Sequence, residues 1–280
     1  MGGLAGSGPV APAPAAGAAG GEPVLVVFDL LNLVFRAYFA LPKLTSSCGE
    51  PTGAVLGVLR MVRKVIRERG PDAVAVAVES AAPMVRKRMF GGYKATRPQA
   101  PADLKSQVPV IMGLLARLGL RSFSVDGWEA DDVIATLARK GRSGGYRVLI
   151  VSGDKDLMQL VGDGVRLIVE DPGVKASREM DEEAVRGKWG VPPSLMVDLL
   201  SLMGDSSDNV PGVPGVGQKT AARLLGEHGS LDGVLEAAAC MKPGRLRDGL
   251  TDHRDSALLS RSLVVLRDDL PIDVDLRSLA

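Results

Sequence analysis

Unbroken apolar runs recur along the first two thirds of the chain. Val24-Leu25-Val26-Val27-Phe28, the run Ala73 to Val78, and Val148-Leu149-Ile150-Val151 contain no polar residue, and Val165-Arg166-Leu167-Ile168-Val169 has one. Short continuous runs rich in Val and Ile predict strands buried on both faces, the pattern of a parallel sheet. Between them lie stretches of helical period. Residues 53–69 place Val55, Leu59, Val62, Val65 and Ile66 on one face, and a second helix is predicted over 103–118. A third follows Asp132 through Val133 and Leu137. From Met180 onward strand-like runs become scarce, and helices are predicted over 181–189, 194–203, up to His228, and as one piece over 251–266. Residues 271–275 read as short and extended. The pattern predicts an α/β fold: a mostly parallel central sheet with flanking helices over 23–179, then a helical region over 180–280. Residues 1–22 are almost wholly Gly, Ala, Pro and Ser, and read as a disordered tail.

Composition narrows the chemistry. With 34 basic and 33 acidic residues in 280, net charge predicts no partner; only local clustering can. The two cysteines, Cys48 and Cys240, match no zinc or redox spacing, and the two histidines, His228 and His253, are too few for a histidine-rich metal site. No apolar run is long enough to span a membrane.

The acids are placed less evenly. Glu129, Asp131 and Asp132 stand within four positions, directly before an apolar helical run. Acids favour a helix N-terminus, so capping alone explains one such motif. It explains less well why three predicted strands each deliver an acid at the same end: Asp29, Glu79, and Asp154 in Gly153-Asp154-Lys155-Asp156. Ligands of parallel α/β sheets bind beyond the carboxyl ends of the strands. Packed carboxylates repel, and something must neutralise them. With histidine scarce, an all-carboxylate set favours Mg²⁺ or Mn²⁺ over zinc.

Two further stretches suit phosphate. Arg86, Lys87, Arg88, Lys94 and Arg97 fall in a segment with no acid from Ser80 to Ala102, interleaved with Phe90 and Tyr93. Cations among aromatics fit phosphate contact and base stacking, with a solvated face as the plainer alternative. After Asp205 and Asp208 comes Val210-Pro211-Gly212-Val213-Pro214-Gly215-Val216-Gly217, leading into a helix through Lys219 and Thr220. A glycine-rich hairpin opening a helix exposes backbone N–H groups that accept phosphate without reading sequence.

Taken in order, Phe28-Asp29, the stretch Phe90 to Arg97, Glu129-Ala130-Asp131-Asp132, Gly153 to Asp156, Gly204 to Asn209 and the hairpin Pro211 to Ala222 resemble the 5′-nuclease domain of bacterial DNA polymerase I and the wider flap endonuclease family. The resemblance covers about residues 24–275. It implies an α/β nuclease core with a basic arch at about 80–105 and a helix–hairpin–helix region. The implied activity is metal-dependent hydrolysis of DNA at 5′ ends, nicks and 5′ flaps, in replication and repair. By that resemblance Asp29, Glu79, Glu129 and Asp131 hold one of two Mg²⁺ ions. Asp154, Asp156, Asp205 and Asp208 surround the second, with Asp132 a supporting acid. Lys94 and Arg97 match the arch residues over the active site, and Arg36 a substrate-contacting arginine. Arg86, Tyr93, Gly215, Gly217, Lys219 and Thr220 are expected on DNA, and the carbonyls of Val213 and Val216 are expected to face a K⁺ ion. A DNA polymerase is the expected partner and the cytoplasm, with DNA, the expected location. Two departures stand out: Glu79 replaces the usual Asp, and Leu30 replaces a small residue after Asp29. The alternatives are a single-stranded ribonuclease of the PIN type, which usually lacks the hairpin, and a non-catalytic DNA-binding module.

Overall fold

The computed structural model describes residues 21–82, 84–170 and 177–280, so most of the expected tail lies outside the described residues. The chain runs β1 (Val24–Asp29), α1 (Leu30–Ala40), α2 (Gly53–Arg69), β2 (Ala73–Ala77), α3 (Val85–Met89), α4 (Ala102–Lys105), α5 (Gln107–Arg117), β3 (Arg121–Phe123), α6 (Ala130–Ser143) and β4 (Arg147–Val151). It continues through β5 (Val165–Val169), β6 (Arg178–Met180), α7 (Glu182–Trp189), α8 (Met196–Met203), α9 (Gln218–His228), α10 (Leu231–Ala237), α11 (Arg245–Asp252) and α12 (Arg254–Val264).

The strands form one sheet in the order β3-β2-β1-β4-β5-β6, parallel except for β5–β6. β1 lies between β2 and β4, and every one of its residues is buried. Its alternate side chains feed two cores. Leu25 and Val27 face a layer containing Val133, Ile134 and Leu137 of α6; Val26 and Phe28 face Leu33 and Val34 of α1 and Val58 and Val62 of α2. Each such fully buried side chain contributes about 1.5–3 kcal/mol. The α6 core continues without a break into Leu199, Leu224 and Leu263 of the helical region. The sheet and the region that follows Met180 therefore share one apolar interior.

The four long-run strands stand where the pattern predicts them. The three-residue edge strands β3 and β6 were not anticipated. The helix expected over 103–118 is two pieces, and the one over 251–266 is split at His253. Ser106, which ends α4, and His253 are the joints. No helix among the described residues is long and apolar enough to cross a membrane.

Candidate active site

The chain leaves β1 for α1 on one face of the sheet, and reaches β4 from α6 on the other. Strand order therefore reverses between β1 and β4, which opens a crevice at their carboxyl ends. Asp29, the last residue of β1, lies there. Its carboxylate caps α1 by accepting from Asn32 N at 3.2 Å and accepts from Ser152 Oγ, just past β4, at 2.8 Å. Asn32 Oδ1 in turn accepts from Gly153 N at 3.0 Å, so the first turn of α1 fixes the loop carrying Asp154. Asp154 Oδ1 accepts from Asp156 N at 3.0 Å. Glu79 arrives two residues past β2, and Asp131 from the first turn of α6.

A cleft of about 320 Å³ is lined by Asp29, Glu79, Glu129, Asp131 and Asp154 together with Lys94 and Arg97. A neighbouring groove shares Asn32, Arg97 and Asp154 and adds Lys155, Asp205 and Asp208. Asp156, Asp205 and Asp208 each bring a carboxylate oxygen within 4.8 Å of the others, a set able to hold a metal ion. Asp156 Oδ1 is buried without a hydrogen-bond partner.

The electrostatics show the strain. Burial pushes Asp29 up to about 6, against its bonds from Ser152 and Asn32, and Asp154 and Glu79 add to the rise. Burial, then Asp154, pushes Asp156 up to about 8. Asp131 rises well above its ordinary value through burial and the charges of Asp154, Asp29 and Asp156. Glu79 is raised by burial, with Lys94 opposing and Glu129 adding. Other acids in the cluster already have cations. Lys94 Nζ donates to Glu129 Oε1 at 2.5 Å, Arg97 donates to Asp208, and Lys155 Nζ donates to Asp205 Oδ2 at 2.7 Å. Burial disfavours the Lys94 charge, but Glu129 and Asp208 outweigh it and raise its pKa.

Three expected site residues are buried beside the cleft, with their polar atoms engaged by protein partners. Asp132 is fully buried: Arg86 donates to both of its oxygens, at 2.6 and 2.8 Å, and the backbone N–H groups of Glu129 and Arg267 also donate to it. It caps α6 with both of its oxygens taken by protein donors, and it shares Arg86 with Glu129. Arg86, expected on DNA, is its counterion. Its remaining donors reach the carbonyls of Leu263 and Val265 at 2.7 and 2.9 Å. Tyr93, also expected on DNA, is 3% exposed and donates to Glu129 Oε2 at 2.9 Å. A charge run alone does not reveal which cations point inward.

Arg36 lies over Gly153, where an added Cβ would come within 2.8 Å of its guanidinium, and donates to the carbonyl of Glu170. Its backbone neighbour Phe35 lines the cleft. Ser152, Asn32 and Lys155 were not singled out; a serine directly before Gly-Asp, and a lysine between two aspartates, were the available signals.

The hairpin sits directly beyond the second acid group. Asp205 and Val210 exchange backbone hydrogen bonds at 2.9 and 2.8 Å, closing the loop. Gly212, at φ 61°, packs so closely on Gly204 that a Cβ would lie 2.3 Å from Gly204 N, and its N–H donates to buried Ser260 Oγ at 2.9 Å. Gly215 and Gly217 instead have open space where a side chain would be, and Lys219 is exposed at the start of α9. Val213 and Val216 are buried, and the Val213 carbonyl accepts from Val216 N at 3.0 Å.

The chain is similar to known proteins along nearly all of its described length. Residues 24–190 match the family model for the 5′-3′ exonuclease N-terminal resolvase-like domain, and residues 191–280 that for the 5′-3′ exonuclease C-terminal SAM fold. DNA polymerase I of Bacillus caldotenax is 38% identical over 256 residues, 91% of this chain and 29% of that protein. DNA polymerase I of Pseudomonas aeruginosa is 42% identical over 264 residues, 91% of this chain and 28% of that protein. The chain thus spans less than a third of these relatives. The zinc-bound structure of T5 5′-exonuclease superposes with a TM-score of 0.70 at 20% identity, covering 86% of this chain and 89% of that one. The catalytic core of Rad2 with DNA substrate gives 0.59 at 18% identity, covering 90% and 80%. The likeness to these two structures is one of fold. Matched along both halves by its family models, the chain belongs to the 5′-3′ exonuclease family and is a nuclease of the hydrolase class.

Proposed function

We propose that the chain is a structure-specific 5′-nuclease, cutting DNA phosphodiesters at 5′ ends, nicks and 5′ flaps during replication and repair. The observation that carries this reading is the cleft itself. Acids from three strand ends and a helix start converge on one crevice, with Lys94 and Arg97 at its wall.

The donor set fits divalent cations. All the donors are oxygens, burial and then neighbouring acids push Asp131 and Asp156 toward the protonated form, burial does the same to Asp29, and Asp156 Oδ1 is buried with no partner. Asp29, Glu79, Glu129 and Asp131 would hold one Mg²⁺; Asp154, Asp156, Asp205 and Asp208 would surround the second, with Mn²⁺ able to substitute. Such a pair of ions, when bound, supplies water activation and neutralisation of the leaving oxygen. Lys94 would contact the scissile phosphate and balance charge that builds there. Arg97, beside both grooves, and Arg36, over Gly153, would fix neighbouring phosphates.

The hairpin would grip the duplex. Gly215 and Gly217 leave the backbone open, and α9 begins there with free N–H groups, Lys219 and Thr220. Contacts of this kind follow the shape of the backbone and ignore base sequence. The carbonyls of Val213 and Val216 are the candidates for a K⁺ ion in the same element. The polymerase relatives support a DNA polymerase as partner.

The test is a labelled 5′-flap duplex incubated with and without Mg²⁺. Mg²⁺-dependent cutting near the flap junction is expected. Cutting of single-stranded RNA with the flap left intact would favour a PIN-type ribonuclease, and binding without cutting would favour a DNA-binding module.

A further inference from the structure

Lys94 has a backbone conformation that lysine does not adopt readily. Its φ is +54°, in the left-handed region. Such a residue persists only where its surroundings hold it. Among the described residues, only Lys94, Asp163 and Asn209 are non-glycine with positive φ, and two of these three lie on segments that two hydrogen bonds join. Lys94 N donates to Asp208 O at 2.8 Å. One residue on, the Asn209 side-chain amide donates to Gly92 O at 2.7 Å. Gly92 is held tightly in turn: a Cβ there would lie 2.7 Å from the Phe90 ring and 3.0 Å from Asn209 Nδ2. The turn Gly91 to Thr96 is thus clasped from outside by a loop more than a hundred residues away in sequence.

We infer that Asn209 is a positioning residue for Lys94. The inference rests on the proposed nuclease reading, in which the Lys94 ammonium meets the scissile phosphate. The Asn209 side chain donates to the backbone of Gly92, so it acts through the turn and not on substrate. Its own φ of +55° suits asparagine, which tolerates the left-handed region better than most residues. The loop that carries it is closed by the Asp205–Val210 pair and anchored through Gly212 to Ser260. The same loop bears Asp205 and Asp208. One rigid segment therefore presents two candidate metal ligands, continues into the duplex-gripping hairpin, and sets the aim of the lysine on the opposite wall. Arrival of the helical region and positioning of Lys94 become a single event.

Asn209→Gly removes the amide while keeping a residue at ease with positive φ. Single-turnover flap cleavage at saturating substrate should slow by about five- to tenfold, the scale of one lost hydrogen bond, with KM and melting temperature near wild type. Asn209→Asp should be slower still, since it sets an acceptor against the Gly92 carbonyl. In a Lys94→Ala background, Asn209→Gly should slow cleavage by less than about twofold, because the group it positions is gone. A second readout needs no activity: trypsin should cut after Lys94 faster in Asn209→Gly than in the wild-type chain, because the turn is loosened. An equal loss from Asn209→Gly in both backgrounds, a wild-type rate, or wild-type protection of the Lys94–Ala95 bond would each overturn the assignment. Should the wild-type chain leave a flap intact in Mg²⁺, the nuclease reading fails, and the trypsin comparison alone decides whether Asn209 holds the turn.

Discussion

In the proposed reading, the carboxylate cleft and the hairpin would meet the same ligand chemistry, a phosphodiester, in opposite ways. The cleft gathers negative side chains in a place that resists their charge: burial and mutual repulsion push Asp29, Asp131 and Asp156 up, and Lys94, Arg97 and Lys155 are drawn in as internal counterions. The hairpin gathers almost no side-chain charge. Gly215 and Gly217 clear space in front of the backbone, and the start of α9 supplies partial positive charge. The cleft is poised for chemistry, at a cost in stability that cations would relieve. The hairpin, on the same reading, would hold the duplex. Gly204 and Gly212, in contact, bolt the two together.

Breaking the cleft should therefore harm chemistry most. Asp154→Ala, at the boundary of the two grooves, should slow single-turnover cleavage by about 10²–10³-fold or more while leaving duplex affinity in gel shifts nearly unchanged. Equal loss of binding would erase the division between the regions. Arg86→Ala should be the largest stability defect, about 3–5 kcal/mol in urea unfolding, because it strands Asp132 in the interior. A variant within about 0.5 kcal/mol of wild type would mean that Arg86 holds nothing together. Glu79→Gln, which removes a charge and keeps the shape, should reduce cleavage by about tenfold to hundredfold and recover in part at high Mg²⁺ or with Mn²⁺. A wild-type rate at low Mg²⁺ would remove Glu79 from the site.

Without metal, the cleft should also make stability depend on pH. Asp29 and Asp156 have raised folded-state values, about 6 and about 8, so between pH 4 and 8 the folded state holds protons that the unfolded state has lost. Stability should then fall as pH rises through that range. In EDTA the melting temperature should decline from pH 5.5 to 8.5. Mg²⁺ should raise it and flatten the decline, because cations bind the folded site. A melting curve indifferent to both would count against a preassembled cluster. The smallest effect should come from the hairpin: Lys219→Ala should weaken duplex binding a few-fold and reduce the salt slope by about 1, with the cleavage rate at saturation unchanged.

Much of this contrast was legible in the chain itself. Strands buried on both faces leave continuous apolar runs, so β1, β2, β4 and β5 could be read, and with them the acids at their ends. The edge strands could not: Arg121 and Ser122 of β3 are exposed, and only Phe123 turns inward. The hairpin was readable because proline fixes the backbone and glycine reaches the positive φ that the turn uses at Gly212 and Gly215. Direction was harder. Arg86 and Arg97 are chemically the same residue in one basic segment, yet Arg86 is enclosed by Asp132 and two carbonyls while Arg97 borders both grooves. Asp131 and Asp132 present the same problem. One position of helical rotation sends one carboxylate to the cleft and the other to Arg86. Helix periodicity separates their directions, but it does not say which side holds the crevice. That depends on where the strand order reverses, a property of the whole sheet.

The most direct measurement is cleavage of a 5′-labelled flap duplex by the chain, in Mg²⁺ and in EDTA, with the flap sequence varied. The cleft and hairpin together predict cutting only in the divalent cation, at the flap junction, with the same position and rate for every flap sequence. Cutting that persists in EDTA, or follows base sequence in place of the junction, would contradict the account.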